Sequence, residues 1–499
     1  MSDCEARPST GLTEDFTHLE VRGGAYPIHA LKDARDAVGE VSQHYDFEPH
    51  EDQHGGQKPC SIIMVRIVMR SERRVNVDHW IPCGLWPWLL ADQRHPRYSL
   101  GPEVIQMKIA KVESLHADAG SRNFDFLKVT TDTGLVGWSE YNEAFGGPGL
   151  SAVIDRLAPA VIGKDPRAWE AHVTTMYALR RQSSGGVVQQ AIAAIENALL
   201  DIKARALGIP VYELLGGPVR ERVRLYWSHC GTYRVRNAKE LQIPPVRTLD
   251  DVVKLGREVV AKGYTALKTN VLLLGDNPRT YTPGFARASE GFPELNADRY
   301  VVRAIRDQLA AFREGAGPDV DILVDLNFNY KTEGFVTMAR AMEPFDLFWV
   351  EIDTRDPKAL AYIRSRAPMP VASCECLFGR RDYRPYFENY SMDVAIIDTP
   401  WNGVGESVKI ASMADAYEIN VAPHNFYGPL ATMMSGHFCA VVPNLRIMET
   451  DPDQVPWHDE LVTVKPDVKD GYLHLPSGAG WGTEVNEEVV RAHPPRTAR

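Results

Sequence analysis

The chain has 499 residues, 44% hydrophobic and 24% charged, the make-up of a globular protein too long for one ordinary domain. Its formal net charge of -11 argues against a nucleic-acid or membrane-surface partner. No apolar run is long enough to span a bilayer, and the polar, acidic stretch 1–20 is not a secretory signal. Seven cysteines without disulfide-framework spacing point to a reducing, cytoplasmic setting. Cys374 and Cys376, which flank Glu375, read as small buried residues beside a strand end rather than as a metal pair.

Residues 1–104 read as an extension of uncertain order. A polar stretch at 50–58, an apolar one at 61–69, charge at 70–74 and Trp and Pro at 81–90 follow no helical or strand period. Met107 opens the first well-patterned segment, and an internal start there is an open alternative. From 105 to 222 the pattern predicts a small α+β domain. Strands alternate at 107–116, 124–131 and 135–141 around a turn at 131–134. Helices follow at 153–162, 169–180 and 187–206, the last stopped by Gly208 and Pro210.

From 223 to 499 short apolar strands alternate with helical stretches. The strand candidates are 223–228, 266–270, 322–327, 347–351, 370–375, 394–399, 419–424 and 445–449, eight in all. Eight β/α units are what a closed parallel barrel needs. An open doubly wound sheet is the runner-up, but no Gly-rich dinucleotide-binding turn follows a strand. The gap between Lys268 and Asp325 is about twice the local unit. Its surplus, 274–296, reads equally as a surface loop, a lid or an oligomer contact.

The strand ends carry the chemistry. Asp325, Glu351, Glu375, Asp398, His424 and Glu449 each close an apolar run, about 25 residues apart. In a parallel barrel all strand C-termini open on one mouth, where active sites lie. One acid after a strand is an ordinary solvated end. Six titratable ends in succession, placed against buried residues, are costly unless paired or bound to a metal. Asp325, Glu351 and Glu375 suit a hard cation such as Mg²⁺, which would hold a small-molecule carboxylate and stabilise the enediolate left by loss of its α-proton. His424, one strand after Asp398, suits a general base held by a carboxylate. Glu449, if protonated in this crowded mouth, would donate a hydrogen bond to the developing oxyanion. Lys268 faces the same mouth.

As a set, Lys268-Thr269-Asn270, Val-Asp-Leu-Asn (Asp325, Asn327), Val-Glu351, Cys-Glu375, Ile-Asp398, Pro-His424-Asn and Met-Glu449-Thr resemble the enolase superfamily and, within it, the mandelate racemase group, over about residues 107–490. The resemblance implies an α/β fold in which an N-terminal α+β domain caps a modified (β/α)8 TIM-type barrel, with a C-terminal segment returning to the cap. It also implies Mg²⁺ on Asp325, Glu351 and Glu375, a His424–Asp398 dyad, Glu449 as the electrophilic acid, and a homo-oligomer. Asn270 and Asn327 join the substrate contacts, as do Arg122 and Tyr141 in the capping loops 119–125 and 140–149, where Phe145 also sits. Asn270 stands where racemases of the group carry a second Lys base. Racemisation needs acid/base groups on both faces, so the resemblance points to a lyase. A sugar-acid dehydratase would remove the α-proton and the 3-hydroxyl to give a 2-keto-3-deoxy acid, and one His can serve both steps. A racemase, epimerase or cycloisomerase is the rival reading. A non-catalytic ligand-binding descendant is a third, disfavoured by the intact residue set.

Overall fold

In this computed structural model, residues 106–145, 147–285 and 290–496 are described, together with the backbone of three short strands nearer the N-terminus. The chain divides into two units, Met1–Ile105 and Gln106–Arg499. In the first, strands Glu20–Arg22, Met64–Ile67 and His79–Pro82 form a three-stranded antiparallel sheet with Met64–Ile67 in the centre. The polar stretch 50–58 lies outside the described residues.

The second unit begins with an antiparallel meander of strands Ile109–Asp118, Asn123–Thr131 and Val136–Tyr141. Gly134 takes a φ of 85° in the second turn, a conformation only glycine adopts without strain. Helices Leu150–Leu157, Trp169–Leu179 and Gly186–Leu207 follow. The first stops short of the predicted 162, since Pro159 lacks the amide that would continue it and a 3₁₀ turn takes over at Ala158–Ala160. Helix Gly186–Leu207 lies flat on the meander: a side chain at Gly137 would come within 2.3 Å of the Ala198 carbonyl oxygen. Its other flank packs on the barrel, which is why residues 189–202 are buried on every face.

Eight parallel strands make the barrel. In chain order they are Arg222–Trp227, Ala266–Thr269, Asp321–Asp325, Trp349–Glu351, Val371–Ser373, Val394–Asp398, Asn420–His424 and Met448–Thr450. Each pairs with the next through the seventh. The eighth pairs with the first, and the bridge Val421↔Leu445 joins seventh to eighth, so the ring is closed. Tyr226, Leu323, Trp349, Ile396 and Ile447 are among the side chains that fill its interior. Helices Leu249–Ala261, Arg299–Ala316, Thr332–Met342, Pro357–Arg364, Gly379–Glu388, Val404–Asp415 and Pro429–Val441 follow strands one to seven. Among the described residues the eighth strand is followed instead by a hairpin, Asp467–Lys469 and Tyr472–His474, which pairs antiparallel with the first strand.

The chain then returns to the meander, where Lys128 pairs with Glu487 at 2.5 Å and the Trp481 indole donates to the Trp138 carbonyl at 2.7 Å. The surplus at 274–296, which reads equally as a surface loop, a lid or an oligomer contact, is partly built. Leu272–Leu273 pairs with Arg279–Thr280, and Asn329 receives the Gly284 amide at 3.0 Å. Residues 286–289 of it lie outside the described set. No helix among the described residues is long and apolar enough to cross a membrane.

Candidate active site

The closed ring brings the predicted strand-end residues to one mouth. Register sets Asp325 beside Glu351 and Asp398 beside His424. Lys268, buried at the end of the second strand, donates to Glu351 Oε2 at 2.9 Å and lies 3.1 Å from Glu449 Oε1. Burial opposes its charge, yet Glu351 and Glu449 hold its pKa well above the usual range. Asn327, at a left-handed φ of 45°, donates to Asp325 from its amide at 2.8 Å and from Nδ2 at 2.7 Å. Asn270 Nδ2 is 3.3 Å from the same carboxylate, with its Oδ1 taken by Thr232 Oγ1 at 2.8 Å. Both asparagines therefore orient Asp325.

The fifth strand ends at Ser373, earlier than predicted. Cys374 then takes a φ of 91°, a strained turn for a residue with a side chain, before Glu375. One carboxylate escaped the sequence reading. Asp353 lies two residues beyond Glu351, and the ligand atoms of Asp353, Glu375 and Cys376 lie within 4.8 Å of one another. Burial first, and repulsion from neighbouring carboxylates next, raise Asp325 to about 7 and push Asp353 and Glu375 well above the carboxylate range. Glu351 Oε1 and Asp353 Oδ2 are buried without any hydrogen-bond partner. Buried, mutually repelling carboxylates, two of which keep an unsatisfied oxygen, fit a hard divalent cation.

His424 Nδ1 lies 2.6 Å from Asp398 Oδ2, which also accepts from the Tyr427 hydroxyl, and Asp398 Oδ1 accepts from the Trp401 amide at 2.7 Å. Those donors anchor the carboxylate, which in turn fixes the imidazole with its proton on Nδ1. Nε2 faces Glu375 Oε2 at 3.5 Å. Burial lowers the His424 pKa, but Glu375 and Asp398 outweigh it and raise it to about 10. Glu449 departs from expectation. Burial favours its protonated form, but Lys268, His424 and His229 prevail and bring it down to about 2. It accepts from Ser228 Oγ and from the Asn425 amide, the latter at 2.7 Å. Glu449 is ionised here, and the donor beside it is Lys268.

From the cap, Arg122 donates to the Phe426 carbonyl, reaches the Tyr233 hydroxyl at 3.4 Å and lies 4.4 Å above the Phe426 ring. Phe145 meets the same ring edge-on at 5.6 Å. Phe426 is itself 4.9 Å from His424, ring to ring, so Arg122 does reach the mouth. Tyr141 does not join the cluster. It is packed in the cap core, its hydroxyl 2.7 Å from Ser151 Oγ. The sequence reading also passed over His229 and Asp451, which follow the first and eighth strands and pair at 3.1 Å.

Known proteins share this organisation. A family model described as the mandelate racemase / muconate lactonizing enzyme N-terminal domain matches residues 107–216, and one described as enolase C-terminal domain-like matches 251–489. A D-xylonate dehydratase from Haloferax volcanii is 28% identical over 393 residues, 77% of this chain and 89% of its own. A D-galactonate dehydratase family member from Streptomyces bingchenggensis is 30% identical over 402 residues, 77% of this chain and 93% of its own. A crystal structure of a proposed L-alanine-DL-glutamate epimerase from Burkholderia xenovorans, bound to magnesium and fumarate, is 50% identical. It superposes with a TM-score of 0.76 over 78% of this chain and 97% of that one.

Proposed function

This chain belongs to the mandelate racemase group of the enolase superfamily, and from that premise we propose that it is a Mg²⁺-dependent sugar-acid dehydratase, a hydro-lyase acting on an aldonate or aldarate. The observation that carries the reading is the His424–Asp398 pair, whose Nε2 lies 3.5 Å from Glu375 Oε2 in the mouth of buried carboxylates. Asp325, Glu351 and Glu375 would hold Mg²⁺, which would supply positive charge to fix the substrate carboxylate and to stabilise an enediolate. In its neutral form, which Glu375 disfavours as long as its charge is unmet, His424 Nε2 takes the α-proton while Asp398 holds the ring and balances the imidazolium. Lys268, pinned between Glu351 and Glu449, presents its ammonium to the developing oxyanion. Asn270 and Asn327 keep Asp325 oriented, and Arg122 closes the mouth from the cap. Tyr141 supports the cap from within, away from substrate. Residues 105–222 serve as the cap and 223–499 as the barrel. A cytoplasmic homo-oligomer belongs to the same reading.

With Asn270 in place of a second basic residue, one face of the α-carbon lacks an acid/base group on the second strand. That favours dehydration, and relatives named for D-xylonate, D-galactonate and D-gluconate dehydration agree with it. The 50% identical structure named for epimerisation favours a second reading, epimerisation of a carboxylate substrate through the same enediolate. Proton NMR in D₂O with Mg²⁺ and a panel of mono- and diacid sugars separates the two. A 2-keto-3-deoxy product establishes dehydration. Deuterium at the α-carbon with all hydroxyls retained replaces it with epimerisation.

A further inference from the structure

Loss of the 3-hydroxyl needs a proton as well as a base. His424 could return the proton it took, but the mouth holds a second histidine–carboxylate pair. His229 follows the first strand at a left-handed φ of 46°, a strained conformation of the kind that gathers at functional sites. Its ring stacks on Tyr233 at 4.5 Å and lies 5.9 Å from Phe426, the ring that also touches His424. Its hydrogen bonds, to Asp451 Oδ2 at 3.1 Å and Ser228 Oγ at 3.2 Å, both fall on Nδ1. Nε2 is left for a ligand, and the side chain keeps 20% exposure where His424 keeps 8%.

The charged groups that act on it come from every side of the mouth: Glu449 from the eighth strand, Lys268 from the second, His424 from the seventh and Arg122 from the cap. His229 and His424 thus flank Glu449, on strands one and seven of the ring. Resting on the dehydratase reading, we propose that His229, positioned by Asp451, is the acid that protonates the departing hydroxyl, distinct from the base His424.

Burial lowers the His229 pKa to about 3, while burial and then Asp453 raise Asp451 well above the carboxylate range. At neutral pH the pair therefore carries one proton on Asp451, donated to Nδ1, with Nε2–H free. In the elimination the α-C–H bond breaks, with its proton passing to His424 Nε2. The C3–O bond breaks and the leaving hydroxide takes the proton of His229 Nε2. The carboxyl proton of Asp451 moves to Nδ1, and Arg122 faces the carboxylate that results. Water leaves. The enol then gains a proton at C3 and loses one from its oxygen, giving the 2-keto-3-deoxy acid and restoring both pairs.

The test uses the full chain with Mg²⁺ and whichever of D-xylonate, D-galactonate and D-gluconate the wild type dehydrates fastest. His229→Asn and Asp451→Asn are each compared with wild type in D₂O. The expected result is a fall in dehydration kcat of about 100-fold or more with α-deuterium exchange retained. The 3-deoxy-3-fluoro analogue should restore turnover, since fluoride leaves without a proton. Retained exchange also shows that the variants are folded. Unchanged kcat, a change in KM alone, or loss of exchange and dehydration together in both variants would overturn the proposal. A wild type that dehydrates none of the three acids but exchanges the α-proton would instead overturn the dehydratase reading beneath it.

Discussion

Buried carboxylates occur in two regions of the larger unit, and they are treated in opposite ways. Along the seam between cap and barrel, Asp201 takes the amides of Trp138 and Trp481, each at 2.9 Å, and pairs with Arg205 at 2.9 Å. Glu140 likewise takes the Gly428 and Ala431 amides at 2.5 and 2.8 Å. At the mouth, Glu351 and Asp353 each keep an oxygen with no donor at all. An acid whose lone pairs are met by the protein holds the fold together. An acid whose lone pairs are left open, at the cost of burial, is arranged for something that arrives later. Glu196 is the seam's exception, with one oxygen on the Glu406 amide at 3.2 Å and the other unpartnered.

Substitutions break this comparison in order of effect. His424→Asn should lower kcat by about 100- to 10,000-fold while leaving Mg²⁺ affinity in place, measured by steady-state kinetics beside calorimetric titration. Retained turnover would remove His424 as the base. Asp201→Ala should cost about 3–5 kcal/mol in denaturant unfolding, because two buried amides and Arg205 lose their acceptor together. Glu351→Gln, equally buried, should cost less than that without metal, because Lys268 keeps Glu449 as its partner and one Glu351 oxygen has no donor to lose.

The pH dependence of the seam sharpens the contrast. Burial, then repulsion from Glu406, raises Glu196 to about 8 in the fold. A carboxyl raised above its unfolded value stabilises fully below that value, and the stability is lost as pH climbs toward the folded one. Glu196→Gln should therefore match wild type near pH 4.5 and exceed it by a few kcal/mol at pH 8 and above. Equal pH profiles would show that Glu196 is not protonated in the fold. Smallest is the effect of the ion. At about 100 times its Kd, Mg²⁺ should add about 2.7 kcal/mol to wild-type stability and nothing to Glu351→Gln.

The sequence exposed the barrel and its strand-end residues because each of them interrupts an apolar run with a charge, a break that burial makes expensive. It did not expose Asp353, His229 or Asp451. These lie beyond the regular strands, where no period fixes a side chain's direction, and His229 sits on a left-handed backbone that pattern cannot foresee. Tyr141 departs from expectation for the opposite reason. It ends a regular strand, and its pleat turns the side chain into the cap core. The proton on Glu449 was out of reach because it depends on Lys268 at 3.1 Å, a contact made across the ring between the second and eighth strands.

The most direct test is an electron paramagnetic resonance titration with Mn²⁺, an ion of the same oxygen-seeking kind as Mg²⁺. Wild type, Glu351→Gln and Asp201→Asn are compared side by side. The account predicts one tight site per chain in wild type and Asp201→Asn, and its loss in Glu351→Gln. Equal binding in all three would contradict it, for the open oxygens at the mouth would then not be what the cation needs.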